Sequence, residues 1–215
     1  MDSTINPATM VVWGGLLLGL VFGAVANKTN FCTMGAISDV VNMEHWGRMR
    51  MWMLALTVAL IGTSLLHYLE LVDLSKTIYQ RPTLPWLSLL VGGTLFGIGM
   101  TLAGGCVNKN LIRVGGGNLR SLVVLILVAI SAYMTLKGLF GQWRATYLDP
   151  VNLDLTTLGL ANQALPTLVG NLTGLSAKSA LLLTAGALAL GLLGFVFKDK
   201  RFRANTSHMV GALVL

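Results

Sequence analysis

The stretch GLVFGAVANKTNFCTMGAISDV at residues 19–40 has a gapless partner 74 positions later, GTLFGIGMTLAGGCVNKNLIRV at residues 93–114. Gly19 and Gly93, Phe22 and Phe96, Gly23 and Gly97, Cys32 and Cys106, and Val40 and Val114 coincide. The chain has two cysteines, and they fall at the same point of the two segments. Paired thiols and paired G-x-x-F-G motifs point to an internal repeat of about 74 residues. Each copy reads as a long apolar helix, a short polar segment opened by the cysteine, and a second full helix.

Composition sets the solvent. Of 215 residues, 54% are hydrophobic and 11% charged, against about 25% charged in soluble domains. No residue is charged between Asp2 and Lys28, from Pro82 to Asn108, or from Ser179 to Phe197. Runs of about 20 apolar residues span a hydrocarbon core of about 30 Å as helix. The expected fold is an all-α integral membrane protein with about five to six transmembrane helices and two re-entrant half-helices. The spans are expected near Met10–Ala26, Met51–Tyr68, Leu84–Leu102, Ser121–Phe140 and Ser179–Phe197. A sixth apolar run begins near Met209 and stops at Leu215, which reads either as the edge of a longer protein or as an interfacial tail. The first span does not read as a cleavable signal: Asp2 is the one charge before it, and no small-x-small site leads into a soluble domain.

Fifteen Lys and Arg against eight Asp and Glu give a net charge of +7. The distribution fits membrane topology better than a nucleic-acid partner. Alternate loops place Lys28, Arg48, Arg50, Lys109, Arg113, Arg120, Lys198, Lys200, Arg201 and Arg203 on one side. Lys76, Arg81, Lys137, Arg144 and Lys178 fall on the other, with Asp2, Glu70, Asp73, Asp149 and Asp154. The positive-inside rule makes the first side cytoplasmic and the N-terminus periplasmic, provided neither cysteine segment crosses.

Three regions follow. Residues 1–140 hold two helix–half-helix–helix units, at about 10–68 and 84–140. Residues 141–177 form an extracytoplasmic loop or a third re-entrant segment. Residues 178–215 hold a transmembrane helix, a basic cytoplasmic loop and the start of a further helix. Gly15, Gly19 and Gly23, and Gly93 and Gly97, recur at spacing four, which lets helix backbones approach closely in a bilayer.

The cysteine segments are too short and polar to span. As surface loops they would be unremarkable. As re-entrant half-helices, the second ending at Gly115-Gly116-Gly117-Asn118, they would put each cysteine at a helix N-terminus. Broken helices of that kind build midplane sites in many transporters, and a helix N-terminus favours anions. The site would then contain Cys32, Cys106, Asn30, Asn108, Gly35 and the backbone around Gly104 and Gly105, with Lys28, Lys109 and Arg113 drawing anions to a mouth. Polarisable sulfur suits a soft anion. Against this stands plain packing, since a lone membrane cysteine is commonly an apolar filler and Lys28 and Lys109 can serve as snorkelling residues. His67 reads as interfacial, His45 and His208 have no ligand-spaced partner, and GGGN at 115–118 lacks the lysine and strand of a phosphate loop. No cofactor, metal or nucleic-acid partner is expected.

At NFCTMGAISD (30–39) and AGGCVNKNLIRVGGGN (103–118) the sequence resembles the YeeE/YedE family of bacterial membrane proteins, transporters of sulfur compounds such as thiosulfate. The resemblance covers roughly residues 10–140, with looser agreement beyond. It implies full helices interleaved with short non-spanning ones around a narrow path, in the inner membrane. It also implies that Cys32 and Cys106 line that path and relay the anion through S–H···S contacts, shaped by Gly35, Gly104, Gly105 and Asn108. Longer members carry a further motif cysteine in a C-terminal half. The chain therefore resembles either a truncated form or a half-size member that pairs with a second copy or a second half-transporter chain. Two other classes stay open: a membrane thiol-redox protein cycling a Cys32/Cys106 disulfide, and a non-conducting subunit of a sulfur-handling complex.

Overall fold

The computed structural model describes residues 7–72, 77, 82–158, 160, 162–174, 176–199, 202–203 and 206–214. Asp2, Asp73, Lys76, Arg81, Lys200, Arg201 and Leu215, used above, lie outside the described residues. The protein is an all-α membrane protein. Helices α1 (Pro7–Thr29), α2 (Thr33–Met43), α3 (Gly47–Tyr68), α4 (Trp86–Leu102), α5 (Val107–Gly115) and α6 (Leu119–Lys137) carry the two cysteine segments. Then come α7 (Leu139–Trp143), a π-helical turn (Arg144–Leu148), a 3-10 turn (Leu155–Leu158), α8 (Leu165–Thr173), α9 (Ala177–Phe197) and α10 (Thr206–Val214). Five helical segments are long and apolar enough to cross a membrane. Each overlaps one of the five expected spans, and the first and third, Ala8–Met43 and Trp86–Gly115, run on through the cysteine segments. The one ladder described pairs β1 (Thr83–Leu84) antiparallel with β2 (Leu153–Asp154), with Thr83 opposite Asp154.

The ends of these helices follow from local chemistry. Asn118 caps α6, its Oδ1 accepting the Arg120 and Ser121 N–H groups at 3.0 and 3.3 Å, which satisfies two of the donors a helix start leaves open. Gly117 just before it has φ +86°, a conformation that costs an L side chain and not glycine. The expected GGGN terminator thus ends α5 and starts α6. Between α7 and α9 the described elements are the π-helical and 3-10 turns, β2 and α8, and α8 packs on α9. The run near Met209 is the nine-residue α10, which packs on α1 and α3.

The best-packed part of the chain is one end of the α3–α9 pair. Ala26, Phe31, Met51, Leu54, Val196, Phe202 and Ala212 form its buried cluster. The Phe31 and Trp52 rings stack with centroids 5.1 Å apart and planes 13° from parallel. Beside them Arg50 pairs with Asp199 and lies over the Phe195 ring, 5.4 Å from its centroid. At the opposite end of α3, Lys178 Nζ donates to Glu70 Oε1 at 2.7 Å. Arg50 and Asp199 therefore share one end of the α3–α9 pair, while Glu70 and Lys178 share the other.

The glycine faces depart from expectation. A Cβ built at Gly15, Gly19, Gly23, Gly93 or Gly97 meets nothing within 4 Å. No described helix approaches α1 or α4 closely at those positions.

Candidate functional site

Two helix ends are built the same way. At the end of α1, the Phe31 N–H donates to Ala26 O at 3.0 Å and the Asn30 N–H to Asn27 O at 3.3 Å. At the end of α4, the Gly105 N–H donates to Met100 O and the Gly104 N–H to Thr101 O, both at 3.2 Å. Each is a Schellman motif, closed by a left-handed residue. That residue is Asn30 (φ +52°) in the first and Gly104 (φ +64°) in the second. Glycine carries no penalty there, and asparagine is among the side chains that tolerate it best. Two residues further on, Cys32 and Cys106 take extended backbone and become the N-caps of α2 and α5.

That geometry brings the thiols together. Cys32 Sγ and Cys106 Sγ lie 3.3 Å apart, with both residues free and buried. The Gly35 N–H donates to Cys32 Sγ at 3.4 Å, so one thiol caps its own helix. Cys106 makes no such bond. Gly35 also leaves room for Arg48: a Cβ there would stand 2.6 Å from its Nη1, and Arg48 Nε pairs with Asp39 at 3.1 Å.

Side chains of the second segment fasten it in place. Asn108 Nδ2 donates to Phe31 O at 3.3 Å and ties the two cysteine segments together. Asn110 is buried, and its Nδ2 reaches Gly105 O at 3.3 Å and Cys106 O at 3.4 Å. Arg113 Nη1 donates to Gly104 O at 3.2 Å. A partly open cavity of about 170 Å³ reaches Cys32 from one side, lined by Ala26, Asn27, Asn30, Phe31, Cys32, Lys109, Ile112 and Arg113. At about 30 Å³ per water it has the volume of five or six waters, which suits an oxyanion of a few heavy atoms.

The residues singled out from sequence divide accordingly. Cys32, Cys106 and Gly35 meet at the thiol contact, and Asn30, Lys109 and Arg113 line the cavity. Lys28 is exposed on the last turn of α1 and outside that lining. The Gly104 and Gly105 amides do not point at an anion, because both are spent inside the Schellman turn. Asn108 likewise works as a strut. Asn27 and Asn110 were missed. The clue for Asn110 was its place in the alignment at an offset of 74, opposite Ala36: a polar residue one turn after the cysteine where the other segment has an apolar one.

The profile of the family described as Sulphur transport matches residues 28–215. The chain belongs to the sulphur transport family. Two relatives are thiosulfate transporters by name. The thiosulfate transporter TsuA of Spirochaeta thermophila is 30% identical over 133 residues, covering 62% of this chain and 39% of the relative. TsuA of Escherichia coli is 28% identical over 139 residues, covering 65% and 37%. The chain thus spans about two fifths of the length of these relatives. Membership of the sulphur transport family accords with the thiol-bearing segments, since the matched region contains both cysteines and the whole cavity-bearing side of α5.

Proposed function

We propose that this protein carries a small sulfur-containing anion, thiosulfate first among them, across the bacterial inner membrane past a neck formed by Cys32 and Cys106. The observation that carries the reading is the pair of buried thiols, 3.3 Å apart at the N-caps of two short helices, with a cation-lined cavity leading to one of them. The names of the two relatives support the substrate class.

In this reading α2 and α5 are re-entrant half-helices of a repeated unit, and the basic loops face the cytoplasm. Lys109 and Arg113 draw the anion into the cavity, where Asn27 and Asn30 offer hydrogen bonds in place of water. At the neck the weak S–H donors and polarisable sulfurs replace hydration on the anion's soft end. Contact there must be loose enough for exit, as conduction requires. Passage through the neck forms no covalent bond, so transport itself needs no enzymatic step. Because the chain spans about two fifths of its relatives, these residues are assigned one part of the path, the rest falling to further sequence of the same protein, a second copy or a second half-transporter chain.

The test is growth on thiosulfate as sole sulfur source, in a strain that depends on this protein. Cys106→Ala should stop growth while the protein stays at its normal membrane level. Undiminished growth would reject the thiol neck.

A further inference from the structure

Two thiols in contact are also a two-electron reductant, and the surroundings here make the two unequal. The cavity wall includes Cys32 and not Cys106. Cys32 Sγ also receives the Gly35 N–H, which stabilises negative charge developing on that sulfur. Cys106, equally buried, lies 3.3 Å from it and outside the cavity lining. This is the arrangement of an attacking and a resolving thiol, because exchange proceeds through a mixed disulfide that a neighbouring thiol then breaks. Lys109 and Arg113, which share the cavity lining with Cys32, favour a dianion as the reagent there.

We propose that Cys32 and Cys106 are the site of a two-step thiol exchange with polythionate-class dianions, and that the resulting disulfide seals the neck. With tetrathionate the Cys32 thiol loses its proton and attacks an inner sulfur. The central S–S bond breaks, one thiosulfate leaves, and Cys32 carries an S-thiosulfonate adduct. Cys106 then loses its proton and attacks Cys32 Sγ, expelling the second thiosulfate and forming the disulfide. Two electrons pass from the thiols to the central S–S bond, and two protons are released. The sulfurs must close from 3.3 Å to about 2.05 Å, a movement of about 1.25 Å. The bridge removes both S–H groups and pins the start of α2 to the start of α5. A reductant of the thiol class reopens it. The inference rests on the transport reading for its consequence, while the exchange itself is read on the protein.

The experiment uses the full chain in proteoliposomes, treated with tetrathionate and washed. The expected result is two thiosulfates released per chain, both cysteines closed to alkylation by intact mass, and labelled thiosulfate uptake reduced to background. Dithiothreitol should restore the thiols and the uptake. Cys106→Ser should stop at the adduct on Cys32, releasing one thiosulfate and retaining the mass of the other. Cys32→Ser should leave Cys106 alkylatable. If both thiols of the treated wild type stay alkylatable, or if Cys106 of Cys32→Ser reacts as fast as the wild type, the exchange is overturned. If the disulfide forms and uptake continues, the seal is overturned. A chain that forms the disulfide and never carried thiosulfate before treatment sinks the transport reading and leaves the exchange standing.

Discussion

The two cysteine segments share a backbone and differ in almost everything attached to it. Both enter through a Schellman turn with a left-handed residue, and both present a cysteine as N-cap two residues later. In the first segment the turn is held by asparagine, the thiol caps its own helix, and a small buried residue, Ala36, follows one turn on. In the second the turn is glycine fastened by Arg113, the thiol has no amide, and buried Asn110 grips the carbonyls around it. The shared part places a sulfur; the differing parts accompany a difference in which sulfur borders the cavity. Charge is divided as well, since Lys109 and Arg113 come from the second segment, and the first contributes Asn27 and Asn30.

If the neck needs both sulfurs, the asymmetry should vanish when either is removed. Cys32→Ala should abolish uptake as completely as Cys106→Ala does, although only Cys32 borders the cavity. Labelled thiosulfate uptake into vesicles with matched protein levels measures this. Substantial uptake by one variant alone would mean that one segment conducts and the other only packs.

The next largest effect separates the buried neighbours. Asn110→Ala leaves the carbonyls of Gly105 and Cys106 without their side-chain donor, at a cost of about 1–3 kcal/mol. Ala36→Asn buries an amide with no partner evident, for a penalty of similar size. Both should lower the melting temperature in detergent. Making the two changes together should not restore it, because the carbonyl cradle exists only in the second segment. A rescued double variant would show the two segments to be interchangeable.

Lys109→Gln should act on entry and leave folding alone. Loss of a partly exposed charge worth roughly 1 kcal/mol lowers uptake by about fivefold at low ionic strength. The deficit should shrink as salt shortens the screening length to about 8 Å near physiological strength. Uptake against salt concentration measures it, and a salt-independent deficit would assign Lys109 to packing.

Much of this was legible in advance. The five spans follow from charge-free runs of helical length, and the meeting of the thiols accords with their equal place in two segments that align at an offset of 74. The GGGN terminator was readable because glycine announces the left-handed turn it permits. The roles of Asn108 and Arg113 were not, since each serves a carbonyl on another turn or another segment, 77 and 9 residues away. A basic residue beside an expected anion path looks the same in sequence whether it meets the anion or a backbone oxygen. The glycine faces failed for a related reason. Small residues permit close helix approach, but which helix approaches is a property of the whole packing.

The smallest effect tests the shared backbone itself. Asn30 and Gly104 occupy the same left-handed position, so each should accept the other's residue. Asn30→Gly removes the mild strain of a side chain at φ +52° and adds flexibility to the unfolded chain, two opposing terms of a few tenths to about 1 kcal/mol. Little net change in melting temperature is expected. Gly104→Asn should be almost as mild, because a Cβ built at Gly104 meets nothing within 4 Å and only the backbone conformation is charged. Gly104→Val meets the same open space and differs in conformation alone, where a β-branched residue at φ +64° is a genuine outlier, costing about 1–2 kcal/mol. A melting series in the order Asn, then Val, would tie the position to its left-handed geometry. Equal losses for both would mean that the turn at Gly104 is not what holds Cys106 against Cys32.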